Sequence, residues 1–109
     1  KRTDLIISIT PEELGLEQKH GKNIEIIDVR KTVEFESGYV DGARNITLSE
    51  LQDKLDQIDK EKNLYIYCQR GYRSVIASSI LKANGFSLVN NVWGGWENIK
   101  EDNTVMLSK

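Results

Sequence analysis

The residues best suited to chemistry are the seven in Cys68-Gln69-Arg70-Gly71-Tyr72-Arg73-Ser74. They follow the apolar stretch Leu64 to Tyr67 and lead into a helix-like stretch from Ser74 to Asn84. A loop between a strand and a helix N-terminus gathers free backbone N–H groups in one small volume, and the helix end adds partial positive charge. Gly71 permits backbone conformations that other residues resist. Arg70 and Arg73 add full positive charges, and Arg44 either adds to the field or is a surface residue. Such a cradle stabilises an anion: the Cys68 thiolate, a persulfide on it, or an oxyanion such as the sulfite part of thiosulfate. The chemistry to expect is covalent catalysis in two halves. Cys68 takes the outer sulfur of an anionic donor, then passes it to a nucleophilic acceptor. Tyr72 walls the pocket or covers the loop. A lone cysteine can also be a small buried hydrophobe; the strand before it and the glycine, arginines and helix after it favour a reactive, accessible thiol.

The remaining chain supplies elements to position that loop. Leu5 to Ile9 reads as a strand. Thr10-Pro11-Glu12-Glu13 opens a helix with a capping box and a proline in the first turn, fading near Gly21, with His20 at its end. Ile24 to Val29 is a buried strand. Thr32 to Ser37 is a short helix closed by Gly38. Asp41-Gly42 is a turn and Ala43 to Ile46 a brief strand. Ser49 and Gln52 predict a second capping box, ahead of Leu51, Leu55 and Ile58 at helical spacing. Leu64 to Tyr67 is a strand, Ser74 to Asn84 a helix stopped by Gly85, and Leu88 to Val92 a last strand. A short helix from Trp96 to Lys100 follows Gly94-Gly95. Alternating strands and helices predict an α/β domain with a mostly parallel sheet, and such sheets bind ligands at the carboxyl ends of their strands. Cys68 stands at such an end.

Composition narrows the function classes. The chain has 109 residues, is 39% hydrophobic and 29% charged, and carries a net charge of -2. That predicts one soluble domain across residues 1–109 and argues against a general nucleic-acid binder. No apolar run approaches the ~20 residues of a membrane span. One cysteine allows no internal disulfide, and one cysteine with one histidine gives no ligand set for structural zinc. Neither a metal nor another cofactor is expected. The lack of disulfides suits a cytoplasmic location. Residue 1 is Lys rather than Met, which suggests a processed, excised or shortened start.

Four segments in this order and spacing resemble a rhodanese domain along nearly the whole chain. They are Ile27-Asp28-Val29-Arg30, the stretch Gly38-Tyr39-Val40-Asp41-Gly42-Ala43-Arg44-Asn45-Ile46, the Cys68 loop, and Gly94-Gly95-Trp96. The resemblance implies a five-stranded, mostly parallel sheet flanked by helices on both faces, and a persulfide-forming Cys68. It implies that Asp28 helps hold the loop, that Arg30 pairs with a carboxylate for which Glu34 is the candidate, and that Trp96 sits at the pocket rim. A structural role alone is the alternative for Asp28 and Arg30, and plain packing for Trp93 and Trp96. The six-residue loop Cys68 to Arg73 matches the sulfurtransferases; the related cysteine-dependent phosphatases have one residue more and an arginine where Ser74 stands. Many family members carry histidine where this chain has Tyr39.

The resemblance thus implies a sulfurtransferase using thiosulfate or a small persulfide as donor and a thiol, sulfite or cyanide as acceptor. A protein cysteine or a fused oxidoreductase domain would also serve as acceptor. The loop variant resembles rhodanese domains fused to metallo-β-lactamase-fold persulfide dioxygenases. A non-catalytic interaction module is the alternative from another class, and a phosphatase the less favoured enzyme.

Overall fold

The computed structural model describes residues 6–109. The expected strand Leu5 to Ile9 begins just outside them; its described part is β1, Ile7–Ile9. Helix α1, Pro11–His20, starts as the sequence predicts. The Thr10 hydroxyl accepts from the Glu13 N–H at 3.2 Å, and the Glu13 carboxylate accepts from the Thr10 N–H at 3.0 Å. Lys19 and His20 occupy its last turn, where positive charge suits the helix dipole.

Then come β2 (Ile24–Asp28), α2 (Thr32–Glu36), β3 (Tyr39–Val40), β4 (Arg44–Asn45), α3 (Leu48–Leu51), a 3₁₀ segment (Gln52–Gln57) and β5 (Asn63–Tyr67). The chain ends through α4 (Tyr72–Ala83), β6 (Val89–Val92), α5 (Gly95–Ile99) and β7 (Leu107–Ser108). The main sheet has five strands in the order β1-β6-β5-β2-β4, and every pairing is parallel. β3 and β7 form a separate antiparallel pair that the sequence reading missed. Neither Tyr39–Val40 nor Leu107–Ser108 is long enough to show a period of its own.

Two expected helices change. The second capping box belongs to Thr47 and Glu50, not Ser49 and Gln52: the Glu50 carboxylate accepts from the Thr47 N–H at 3.1 Å and meets its hydroxyl at 3.0 Å. The helix therefore starts two residues early, and after Leu51 it tightens into the 3₁₀ segment. Leu51 and Ile58 still enter the core. The helix expected from Ser74 begins at Tyr72, capped by Gly71 in the left-handed region at φ 106°.

The sheet separates two apolar layers. On one face Ile27, Ile66 and Cys68 pack with Leu51, Ala77 and Leu81. On the other Ile26, Tyr65, Tyr67 and Val92 pack with Leu14 and Ile99. Alternate residues of β2 and β5 thus face opposite layers, as strand geometry requires. The register sets Asp28 beside Tyr67, so the ends of β2 and β5 lie side by side with Cys68 one residue beyond. Among the described residues, no helix is long and apolar enough to cross a membrane.

Replacing Thr10 with Ala should lower unfolding free energy by about 1 kcal/mol, read by urea denaturation, because the cap at Glu13 is lost while no core contact changes.

Candidate active site

Cys68 is 1% exposed, so its sulfur lies at the base of a pocket rather than on the surface; the accessible thiol expected from the sequence is corrected in that respect. The pocket has a volume of about 190 Å³ and is lined by Cys68, Gln69, Arg70, Tyr72 and Arg73. The Gly71 N–H donates to Sγ at 3.0 Å and the Ser74 N–H at 3.2 Å. The Cys68 thiol points to the Ser74 oxygen at 3.4 Å, and the Ser74 hydroxyl donates to the Gly71 carbonyl at 3.2 Å. Loss of the thiol proton leaves a sulfur that already accepts two backbone N–H groups, with the Ser74 hydroxyl free to rotate and give a third.

Helix α5 sets the loop's orientation. The Trp96 N–H donates to the Cys68 carbonyl at 2.7 Å and the Glu97 N–H to the Gln69 carbonyl at 3.1 Å. In a trans peptide C=O and N–H point opposite ways. Pinning those carbonyls to α5 therefore turns the N–H groups of Gln69 and Arg70 away from it. The close approach requires Gly95, because a Cβ there would overlap the Cys68 carbonyl oxygen.

Asp28 and Arg30 anchor the loop from the other side. Arg30, 1% exposed, donates through Nε at 3.0 and 2.9 Å and through Nη2 at 2.8 Å to the fully buried Asp28 carboxylate. Arg30 Nη2 also donates to the Gly38 carbonyl at 2.7 Å and Nη1 to Gln69 Oε1 at 3.3 Å. Its guanidinium lies over the rings of Trp96 and Tyr67, 4.7 and 5.6 Å from their centres. Burial works against this cation, but hydrogen bonds and charge from Asp28 outweigh it and hold its pKa above the ordinary value. Burial, then the Asp28 charge, pushes the Tyr67 hydroxyl up, so it stays neutral and accepts from the Val40 N–H at 3.0 Å.

Two expectations change here. Arg30 pairs with Asp28, not with Glu34, because both side chains leave the same strand end into one buried space. Asp28 does not bond the loop's N–H groups; it acts through Arg30 and Gln69. Glu34 instead takes Arg73 in a two-pronged pair at 2.9 and 3.2 Å. The hydrogen bonds of that pair raise Arg73 and lower Glu34 from their usual values. A lowered carboxylate loses its stabilising effect as pH falls through its folded value, so the pair holds the loop to α2 at neutral pH. Arg70 is exposed and makes no ion pair among the described residues. Arg44 is away from the pocket, paired with Glu25 at 3.2 Å. Tyr72 is 79% exposed at the mouth, Trp93 is 63% exposed rather than core, and Trp96 covers Arg30.

Gln69 is a bridge that its sequence position does not announce. Its amide nitrogen donates to Glu97 at 2.5 Å while its oxygen takes Arg30. A glutamine between a cysteine and an arginine carried no signal of that.

A strand-end cysteine whose sulfur accepts two backbone N–H groups, backed by a buried Asp-Arg pair, fits the expected family. The rhodanese-like domain model matches residues 10–102. The chain belongs to that family. YqhL of Bacillus subtilis, an uncharacterized protein, is 41% identical to this domain over 76 residues, covering 70% of the chain and 60% of YqhL. The thiosulfate sulfurtransferase GlpE of Shewanella oneidensis is 30% identical over 88 residues, covering 81% of the chain and 87% of GlpE. A rhodanese-like domain protein from Staphylococcus aureus superposes with a TM-score of 0.83 at 32% identity, over 95% of this chain and 100% of that one. This rhodanese-like chain thus spans less than two thirds of YqhL.

Asp28→Asn should destabilise the domain by roughly 3–5 kcal/mol, because it strands the buried Arg30 charge. The double replacement Asp28→Leu with Arg30→Met should cost less than the single one. Urea unfolding of both variants checks this.

Proposed function

We propose that this domain is a sulfurtransferase in which Cys68 carries sulfane sulfur as a persulfide. The observation that carries the reading is the Cys68 sulfur at 3.0 and 3.2 Å from two backbone N–H groups inside a small cationic pocket. The thiolate attacks the outer sulfur of thiosulfate; a sulfur–sulfur bond to Cys68 forms, and sulfite leaves with the electron pair of the broken bond. The persulfide's terminal sulfur takes the place a substrate oxyanion would hold, facing the loop's N–H groups. An acceptor thiolate then attacks that sulfur and restores the Cys68 thiolate.

Cys68 is the chain's single cysteine, so no internal thiol can take the sulfur. The acceptor must reach a buried atom, which suits cyanide, sulfite, a small thiol, or a slender cysteine-bearing segment of a partner or fused oxidoreductase domain. Ser74, where a phosphatase loop would carry arginine, supports sulfur over phosphoryl transfer.

The two loop arginines should differ in effect. Arg73 is already neutralised by Glu34, so Arg70 supplies the net positive charge. Arg70→Gln should lower kcat/KM for thiosulfate about tenfold at low salt, and the loss should shrink near 1 M salt, where the Debye length is ~3 Å. The charge-neutral double replacement of Arg73 and Glu34 by Gln should change the salt dependence little. Steady-state kinetics at two ionic strengths reads both.

The direct test is intact mass after incubation with thiosulfate or glutathione persulfide. The protein should gain one sulfur atom, lose it to cyanide, and gain none as Cys68→Ser. No transferable sulfur from any donor would point to a docking module instead, and Cys68-dependent turnover of p-nitrophenyl phosphate would point to a phosphatase.

A further inference from the structure

A cleft of about 330 Å³ lies between the first turn of α4 and the β6–β1 side of the sheet. Ser8, Arg70, Tyr72, Val75, Asn91 and Trp93 are among the residues that line it. Tyr72, Val75 and Trp93 stand exposed there with large apolar surfaces. Arg70 and Tyr72 also line the Cys68 pocket, so the two spaces share a wall. Among the described residues no carboxylate lines the cleft, and Arg70 makes no ion pair.

Two polar features of this cleft lack partners among the described residues. The first is Asn91, which is 3% exposed. Its amide nitrogen donates to the Ser8 hydroxyl at 3.2 Å, but its Oδ1 accepts no hydrogen bond. Buried acceptors are nearly always paired, so this oxygen marks a place for an incoming donor. The second is the open side of β1, which ends the sheet. The Ile9 carbonyl accepts from the Trp93 N–H at 2.8 Å, so Ile7 and Ile9 turn their main-chain groups toward β6. Main-chain groups alternate between the two edges of a strand. Those of Ser8 therefore face outward, while its side chain meets Asn91 in the cleft.

We propose that this side of the molecule docks an extended segment of a partner protein, carrying a tyrosine or tryptophan and an acidic residue two places from it. One residue of the segment pairs through its main chain with the outward N–H and C=O of Ser8, as strand addition at a sheet edge requires. Residues two apart on an extended chain share a face, so both named side chains turn toward the cleft. The aromatic ring packs on Tyr72, Val75 and Trp93, and its N–H or O–H end supplies the donor that Asn91 Oδ1 lacks. The carboxylate meets Arg70. The bound segment then lies against the wall that the cleft shares with the Cys68 pocket.

The test pans a phage library of random seven-residue peptides against the full chain. Enriched sequences should share a tyrosine or tryptophan and an acidic residue two places from it. The selected peptide, titrated into nitrogen-15-labelled protein, should shift the Ser8, Val75 and Trp93 amide signals and the Trp93 indole signal. Trp93→Ala should raise the Kd roughly tenfold or more, the scale on which an interface tryptophan acts, while thermal unfolding shows the variant folded. Neutralising the peptide's acidic residue should weaken binding to the natural chain and change binding to Arg70→Gln little, since the two charges then act as a pair. Methylating the peptide's amides one at a time should abolish binding at the residue beside Ser8. Enriched sequences with no such pattern, signals that shift elsewhere, or a Kd indifferent to amide methylation overturn the proposal. A dimer in sedimentation that buries Ser8 and Trp93 also overturns it, because a second copy then occupies the surface. All these measurements read binding alone, so their outcome is separate from whether Cys68 takes sulfur.

Discussion

The buried ion pair of Asp28 and Arg30 is the interaction on which the site depends. Both charges lie out of water at the end of β2, where the sheet places them beside Tyr67 and one residue from Cys68. Such a pair is tolerable only if its remaining donors are satisfied. Arg30 meets that condition by reaching the Gly38 carbonyl and the Gln69 side chain, with Trp96 over its face. A single desolvated cation thereby ties together the turn after α2, the cysteine loop and helix α5. Its stabilising value against an apolar substitute is uncompelling; its geometric consequence is that the loop has few ways to sit.

The loop's backbone completes that constraint. Helix α5 draws two carbonyls outward, Gly71 takes a left-handed conformation, and the N–H groups of Gly71 and of Ser74 in the first turn of α4 are directed at the sulfur. The cradle is made of two backbone N–H groups and the Ser74 hydroxyl. It offers fixed dipoles to a charge that resides on sulfur, which costs no reorganisation when that charge arrives. The arginines add a field rather than a grip: one is tied to Glu34, and the other stands in solvent at the mouth.

Much of this was legible in the residues. Cys68 after Leu64 to Tyr67, with Gly71 and a helix beyond, carries strand, turn and N-terminus signals in one short run. Thr10 and Glu13 mark a helix start for the same local reason. What could not be read was set by contacts far apart in sequence. Glu34 lies four residues from Arg30 and thirty-nine from Arg73, yet it pairs with the latter, because Asp28 had already claimed Arg30 in the buried space. The second cap is a local ambiguity instead: Thr47 with Glu50 has the same capping-box spacing as Ser49 with Gln52, and the Glu50 carboxylate on the Thr47 N–H and hydroxyl decides between them. The β3–β7 pair joins Tyr39 and Val40 to Ser108 and Leu107, far apart in sequence, and neither strand is long enough to show a period.

The central claim, that the loop is built in advance to hold sulfur on Cys68, is tested most directly by a crystal structure of the protein after treatment with a sulfane-sulfur donor. The account predicts one added sulfur atom on Cys68, enclosed by the N–H groups of the loop, with the Asp28–Arg30 pair and the α5 contacts unmoved. Unmodified Cys68 in crystals of protein that had demonstrably met the donor, or an added sulfur turned out of the loop into solvent, would contradict it.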